Sequence, residues 1–144
     1  LLFLGIGAEE LEPGTFVGDS IHLTLRGLQG PGSLAVYDVD AFGTPTVAMS
    51  SHDGISANDW VEVIAGSHAH LNWAFSAPGR YTVEFTASGT LSDGGQFIES
   101  PSTAYSFEVI PEPSSIALLC LGALGVMLHR SSGASRRTSK HVKA

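Results

Sequence analysis

Two histidines separated by a single residue form the pattern in this chain that points most directly to chemistry. His68 and His70 alternate with apolar residues in the segment 68–75. Residues i and i+2 of a β-strand point to the same face and lie about 6.5–7 Å apart. Imidazole nitrogen is a common ligand of Zn²⁺ and Cu²⁺. The two imidazoles could therefore converge on one ion of zinc or another divalent transition metal.

A tight metal site needs three or four protein ligands, so further donor side chains are required. The competing interpretation is that His68 and His70 are solvated residues on an exposed strand face, with no metal. The spacing by itself leaves both interpretations open. The candidates for the remaining ligand positions are His52, Asp53, His22 and Asn72.

The same region contains the residue types of a hydrolase. Ser67 precedes the histidines, and Asp53 or Asp59 could orient an imidazole as the acid of a catalytic triad does. The Gly-X-Ser-X-Gly motif of α/β-hydrolases does not occur in the sequence. We therefore predict a non-catalytic module, and a small extracytoplasmic metal-dependent hydrolase is the alternative.

Short β-strands must position these side chains. Ile21, Leu23 and Leu25 alternate with polar residues, which is the period of a half-buried strand. Similar segments follow at intervals of about ten residues, separated by turns rich in Gly, Pro and Asp. The pattern predicts an all-β domain over residues 1–110 with the architecture of a β-sandwich. The further predicted strands are 34–39, 46–50, 59–64, 68–75, 80–87, 96–99 and 105–110, and residues 27–32 are a predicted turn.

The stretch from Pro78 to Phe85 resembles the corner before strand F of immunoglobulin-like domains. Its pattern is Pro78-Gly79-X-Tyr81-X-Val83-X-Phe85. In that corner a Tyr hydroxyl bonds back to the backbone of the corner itself. The resemblance implies an immunoglobulin-like β-sandwich.

Charge divides the chain near its C-terminal end. Five of the seven Lys and Arg residues follow Leu128, whereas all 14 Asp and Glu residues precede Ser114. The acidic part argues against a nucleic-acid partner, which would require clustered Lys and Arg. The chain starts at Leu1 without Met or a visible signal peptide, so we expect it to be a piece of a longer protein.

The uncharged segment 114–128 is shorter than the roughly 20 residues of a typical membrane-spanning helix. The cations that follow it are nevertheless typical of the cytoplasmic side of a membrane segment. We therefore predict one transmembrane helix at 114–128, a basic cytoplasmic tail at 129–144, and residues 1–113 outside the cell. The membrane-stop residues are Arg130, Arg136 and Arg137.

Pro111-Glu112-Pro113, followed by the apolar segment and the Arg-containing end, resembles the PEP-CTERM sorting signal. The resemblance implies recognition by an exosortase, a membrane transpeptidase-like enzyme, in a Gram-negative bacterium that makes extracellular polymers. It implies a protein of the cell surface or exterior, anchored by the C-terminal helix before processing, with extracellular polymer as a further candidate partner.

The pattern His68-X-His70-X-Asn72-Trp73-X-Phe75 resembles the choice-of-anchor M domain, a surface-anchored repeat domain first described in actinobacteria. The similarity extends over nearly all of residues 5–110. Some members sit beside transporters that resemble those for metal cations. The resemblance therefore implies metal binding, with metal-transport components as partners.

Overall fold

The computed structural model describes residues 2–111. Within them the regular structure consists of nine β-strands and one short 3-10 helix, Val17–Asp19, so the predicted all-β class is confirmed. The strands are β1 (Leu2–Gly7), β2 (Ser20–Gln29), β3 (Leu34–Val39), β4 (Pro45–Ser50), β5 (Trp60–Ile64), β6 (His68–Phe75), β7 (Gly79–Thr90), β8 (Phe97–Glu99) and β9 (Thr103–Val109).

The strands form two antiparallel sheets. The first sheet has the order β1-β6-β3-β4, and the second begins β5-β2-β7. The free side of β7 pairs with β9 along its first half and with β8 along its end. The chain passes from one sheet to the other five times. Two of these passages lead from β1 to β2 and from β2 to β3, and three lead from β4 to β5, from β5 to β6 and from β6 to β7. This connectivity places strands that are distant in sequence beside each other within each sheet.

The inner faces of the two sheets enclose a single hydrophobic core, which is the arrangement of a β-sandwich. Alternation along each strand supplies the core residues, because every second side chain points inward. The first sheet contributes the buried residues Leu34, Val36, Met49 and Trp73, and the second contributes Ile21, Leu25, Val61, Val63, Tyr81, Val83 and Phe85.

Aromatic side chains connect the two sheets at the centre of this core. The Trp73 ring on β6 meets the Phe85 ring on β7 edge-on, with centroids 5.8 Å apart, and lies against Phe107 at 5.7 Å. Phe75 packs on Tyr81 with ring centroids 4.6 Å apart. Aromatic pairs at such distances contribute about 0.5–1.5 kcal/mol each beyond the area they bury.

The corner before β7 contains the hydrogen bond predicted for it. Tyr81 is buried, and its hydroxyl donates to the Ala77 carbonyl at 2.7 Å. The neighbouring turn must leave space for the ring. A Cβ at Gly30 would lie 2.2 Å from the Tyr81 ring, and one at Gly32 would lie 2.8 Å from the hydroxyl oxygen. Glycine at both positions therefore lets the turn close over the tyrosine.

All eight predicted strands are present, but the predictions failed in three places. The strand Leu2–Gly7 was missed, because its glycines are unfavourable in strands and only pairing with the distant β6 makes it one. The predicted turn at 27–32 is wrong in its first half, because a β-bulge at Arg26 lets β2 continue to Gln29. Strand β7 continues to Thr90, because β8 pairs with its last residues.

The predicted transmembrane helix at 114–128 and the basic tail at 129–144 lie outside the described residues. The compact unit that contains the sandwich ends at Ile110. Between residues 2 and 111, no helix has both the length and the apolar character needed to cross a membrane.

The hydrogen bond of Tyr81 should contribute measurably to stability. We expect Tyr81→Phe to lower the free energy of unfolding of residues 1–110 by about 1–2 kcal/mol, because the partly buried Ala77 carbonyl loses its donor. Urea unfolding followed by tryptophan fluorescence measures this change. The control Tyr105→Phe removes a hydroxyl from a half-exposed ring and should change stability by less than about 0.5 kcal/mol. If the two substitutions lower the free energy of unfolding equally, the hydrogen bond from Tyr81 to Ala77 contributes no more than an exposed hydroxyl does.

Candidate functional site

The two histidines of β6 lie side by side on the outer face of the first sheet. Trp73 on the same strand is buried in the core, whereas His68 and His70 are exposed on the opposite face. The two imidazole centroids are 5.1 Å apart, and the rings meet edge-on. The structure therefore brings the two imidazoles together on one face, as the strand alternation predicted.

Strand β1 pairs with β6 beside these histidines and has a glycine opposite each of them. Gly5 is paired with His70, and Gly7 with His68. A Cβ at Gly5 would lie 3.3 Å from the His70 ring, and one at Gly7 would lie 2.5 Å from the Glu9 carboxylate. The two glycines therefore let these side chains lie close to the β1 backbone.

Glu9 is the acidic residue of this site, and it is not among the ligands predicted from the sequence. Its Oε1 atom lies 3.0 Å from Nδ1 of His68, and both side chains are about half exposed. A His68 ring that donates its Nδ1–H to the carboxylate presents Nε2 as the nitrogen with the free lone pair. Only the pairing of β1 with β6 brings Glu9 to this position, so sequence spacing gave no signal for it.

His22 does not join the histidine pair. It lies on β2 in the second sheet, where its ring stacks on Trp60 with centroids 3.9 Å apart. Both residues alternate with buried neighbours and so point outward from the second sheet. The outer faces of two packed sheets point in opposite directions, and the sheets are about 10 Å apart. His22 therefore cannot share a metal ion with His68 and His70 in one molecule.

His52 and Asp53 occupy the exposed loop between β4 and β5. His52 lines a shallow depression together with Leu28, Ser33 and Ile55. Within the described part of the chain, no group of three or more His, Cys, Asp or Glu side chains is placed to hold a metal ion. Of the predicted ligand set, the structure therefore gathers His68 and His70, and adds Glu9 beside them.

Several residues that the hydrolase alternative requires make hydrogen bonds or charged contacts within the fold. The Ser67 hydroxyl donates to the Ile64 carbonyl at 2.7 Å, and His68 faces Glu9. The Asp59 carboxylate accepts hydrogen bonds from the Ser50 backbone N–H and from both the backbone N–H and the hydroxyl of Ser56. Ser67, the nucleophile of the alternative, and Asp59, one of its two candidate acids, are thus engaged in other contacts.

Asp59 fixes the loop that carries His52 and Asp53. Burial of the Asp59 carboxyl opposes its charge, but the hydrogen bonds from Ser50 and Ser56 outweigh burial and hold its pKa below the ordinary value. A lowered pKa in the folded state means that the ionised form stabilises the fold. The charge of Asp59 therefore serves to hold the loop against the end of β4.

The stability that Asp59 provides should depend on pH. We expect Asp59→Asn to lower the free energy of unfolding at pH 7 by about 1–3 kcal/mol, because an amide cannot accept all three hydrogen bonds. The unfolded pKa is about 3.9, and the folded pKa is lower, so the contribution is complete well above pH 4 and is lost as pH falls through the folded pKa. The difference between wild type and variant should therefore shrink in acid.

Chemical unfolding between pH 7 and about pH 2 tests this expectation. The control Asp53→Asn makes the same charge change at an exposed position of the same loop. If the difference in free energy of unfolding between wild type and Asp59→Asn stays constant over this range, the ionised carboxylate does not have the proposed role.

The comparisons with known proteins concern the segment that follows the sandwich. Residues 109–131 match the family model described as the PEP-CTERM protein-sorting motif. The chain carries a PEP-CTERM sorting motif. Such motifs are recognised by exosortase, a membrane protein, and they imply a protein of the cell surface or exterior that is processed at the membrane. The predicted sorting motif is thus confirmed.

No curated protein and no solved structure matches the chain. The comparisons also give no support to the resemblance with the choice-of-anchor M domain. The motif match therefore concerns the sorting of the protein, and evidence for the function of the sandwich comes from its geometry.

Proposed function

We propose that residues 1–110 form a non-catalytic surface module, which an exosortase processes at Pro111-Glu112-Pro113. The observation that carries the proposal is the position of the motif match. It begins at Val109, the last residue of β9, where Val109 pairs with Gly79 at the start of β7. Cleavage near the triplet would therefore leave every strand of the sandwich complete.

Two observations support a binding or envelope role over catalysis for the sandwich. Ser67 is bound to a backbone carbonyl, Asp59 to backbone N–H groups and His68 to Glu9. The topology with five passages between sheets and the Tyr81 corner also supports an immunoglobulin-like fold, which commonly serves as a display scaffold. We also propose that the apolar segment 114–128 is a membrane helix, which anchors the precursor before processing.

Processing should remove the C-terminal segment from the surface form. We expect mass spectrometry of the wild-type surface protein to find peptides up to the triplet and none from the basic tail at 129–144. The variant Pro111→Ala with Pro113→Ala should retain the tail and stay in the membrane fraction, because the recognised triplet is lost. Pro101→Ala, at an exposed proline before β9, is the matched control and should be processed normally. Tail peptides in the wild-type surface fraction would show that the segment is retained.

A weak transition-metal site is a second candidate function, and the contact between Glu9 and His68 favours it. Metal-binding histidines usually donate their second ring N–H to a carboxylate or carbonyl, which fixes the tautomer and the ring orientation. His68 makes such a contact, and His70 lies beside it. Two imidazoles are fewer ligands than a tight zinc site uses, so we propose weak binding of zinc or another divalent transition metal. The choice-of-anchor M resemblance remains a prediction in line with this role.

Metal binding should stabilise the folded domain. A ligand that binds only the folded state at a hundredfold excess over its Kd adds about 2.7 kcal/mol to the free energy of unfolding. We expect His70→Ala to abolish this gain and Glu9→Gln to weaken it. The gain should also decrease in acid, because an imidazole must be neutral to bind a metal ion. Thermal unfolding of residues 1–110 with Zn²⁺, Cu²⁺ or Mn²⁺ measures the effect.

His22→Ala is the control, since it removes an imidazole from the opposite face of the sandwich. It should leave the metal-dependent gain unchanged. If none of the three metals raises the melting temperature of the wild-type domain, His68 and His70 are solvated surface residues.

A further inference from the structure

Strand β1 is an edge strand without the features that usually prevent further pairing. Edge strands of natural sheets commonly contain charges, prolines or bulges that block the addition of another strand. The segment Leu2–Gly7 has no charged residue and no proline. The other strands with a free side carry such features: β4 begins with Pro45, β5 contains Glu62, β8 contains Glu99 and β9 contains Glu108.

The backbone groups that face the free side of β1 follow from the pairing with β6. The N–H of Ala8 donates to the Ser67 carbonyl at 2.8 Å, so the backbone groups of Ala8 point toward the β6 side. Along an antiparallel strand these directions alternate from residue to residue. The N–H and C=O groups of Phe3, Gly5 and Gly7 therefore point to the free edge, where an extended strand could bind them.

Apolar surface lies on both sides of this edge. On the inner side, a cleft of about 430 Å³ opens between β1 and β9, and its walls include Leu4, Ile6, Tyr105 and Phe107. On the outer side, Phe3 is 62% exposed. A strand added to β1 would therefore bury apolar side chains on both faces as well as pair backbone groups.

We propose that the strand added to β1 is β1 of a second copy of this chain, antiparallel and related by a two-fold axis at Gly5. The sequence of β1 is complementary to itself in this register. Gly5 lies opposite Gly5 of the partner subunit, and Phe3 lies opposite Gly7 of the partner subunit, so no directly paired residues on this face bring two side chains together.

The inner face of the strand fits the same register. Leu4 lies opposite Ile6 of the partner subunit, so the apolar lining of the cleft continues across the axis. Pairing by a two-fold axis uses the same surface on both copies and closes after two subunits. The two four-stranded sheets become one sheet of eight strands, and the exposed edge disappears.

Cysteine cross-linking tests both the edge and the register. The experiment uses the full 144-residue chain in a nonionic detergent, with Cys120→Ser to remove the native thiol. Residues that exchange hydrogen bonds in an antiparallel pair have Cα atoms about 5.5 Å apart, which is within the range of a disulfide. Gly5→Cys should therefore form a disulfide-linked dimer under mild oxidation.

Two matched variants serve as controls. Phe3→Cys lies on the same strand, but in this register its two copies are separated by about four residue steps along the strand, or roughly 13 Å. Ser106→Cys lies exposed on β9, another strand with a free side. Neither variant should form a disulfide-linked dimer in appreciable amount, although the β1 pairing is not removed in Ser106→Cys. The proposal is overturned if either cross-links as readily as Gly5→Cys, or if Gly5→Cys does not cross-link.

Sedimentation in detergent tests the dimer without cross-linking. The wild-type chain should be dimeric at tens of micromolar, and Phe3→Lys should weaken the dimer by about tenfold or more, because each substitution counts twice at a two-fold interface. Phe42→Lys is the charge-matched control, since Phe42 is 95% exposed in the turn between β3 and β4. It should leave the dimer intact.

Three results of this measurement would refute the proposal. A monomeric wild-type chain shows that β1 does not self-pair. A dimer that persists in Phe3→Lys shows that another segment holds the copies together. Equal weakening by Phe42→Lys shows an effect of net charge that does not depend on the edge. Thermal unfolding of both variants confirms that they are folded.

Discussion

The aromatic contact of Trp73 with the second sheet is the interaction on which the rest of this structure depends. Strand β6 lies in the interior of the first sheet, and its Trp73 side chain meets Phe85 and Phe107 of the second sheet. This aromatic layer lies among fully buried aliphatic side chains of both sheets, which include Leu34 and Val36 of the first and Leu25 and Val83 of the second. Because strand side chains alternate, burying Trp73 also fixes which residues of β6 face the solvent.

The outward histidine pair is a direct consequence of that constraint. Because side chains alternate along β6, His68 and His70 point to the face opposite Trp73. The burial of Trp73 in the core therefore keeps both histidines on the outer face. Their neighbours are set by β1, whose glycines leave room for the His70 ring and the Glu9 side chain. The same glycines lie along the free edge of β1, a strand with no charged residue and no proline, so the geometry of the site and the pairing capacity of the edge have a common origin.

Charged groups on the sandwich mostly organise loops and strand ends. The carboxylate of Asp59 ties the β4–β5 loop through three hydrogen bonds. Glu99 on β8 accepts hydrogen bonds from Arg26 and Thr86, and the contact with Arg26 holds the pKa of Glu99 below its ordinary value. Arg26 reaches Glu99 from the β-bulge of β2, so the irregularity that extended β2 also connects it with β8.

The sequence by itself determined the strands with strong alternation, the inward and outward faces of β6, the Tyr81 corner and the sorting motif. Each of these depends on residues close together in the chain, where local periodicity or a short motif is sufficient. Only the tertiary structure placed Glu9 beside His68 and put His22 on the opposite face of the sandwich. The physical reason is that hydrogen bonding between distant strands decides which strands become neighbours, and no local pattern encodes that order.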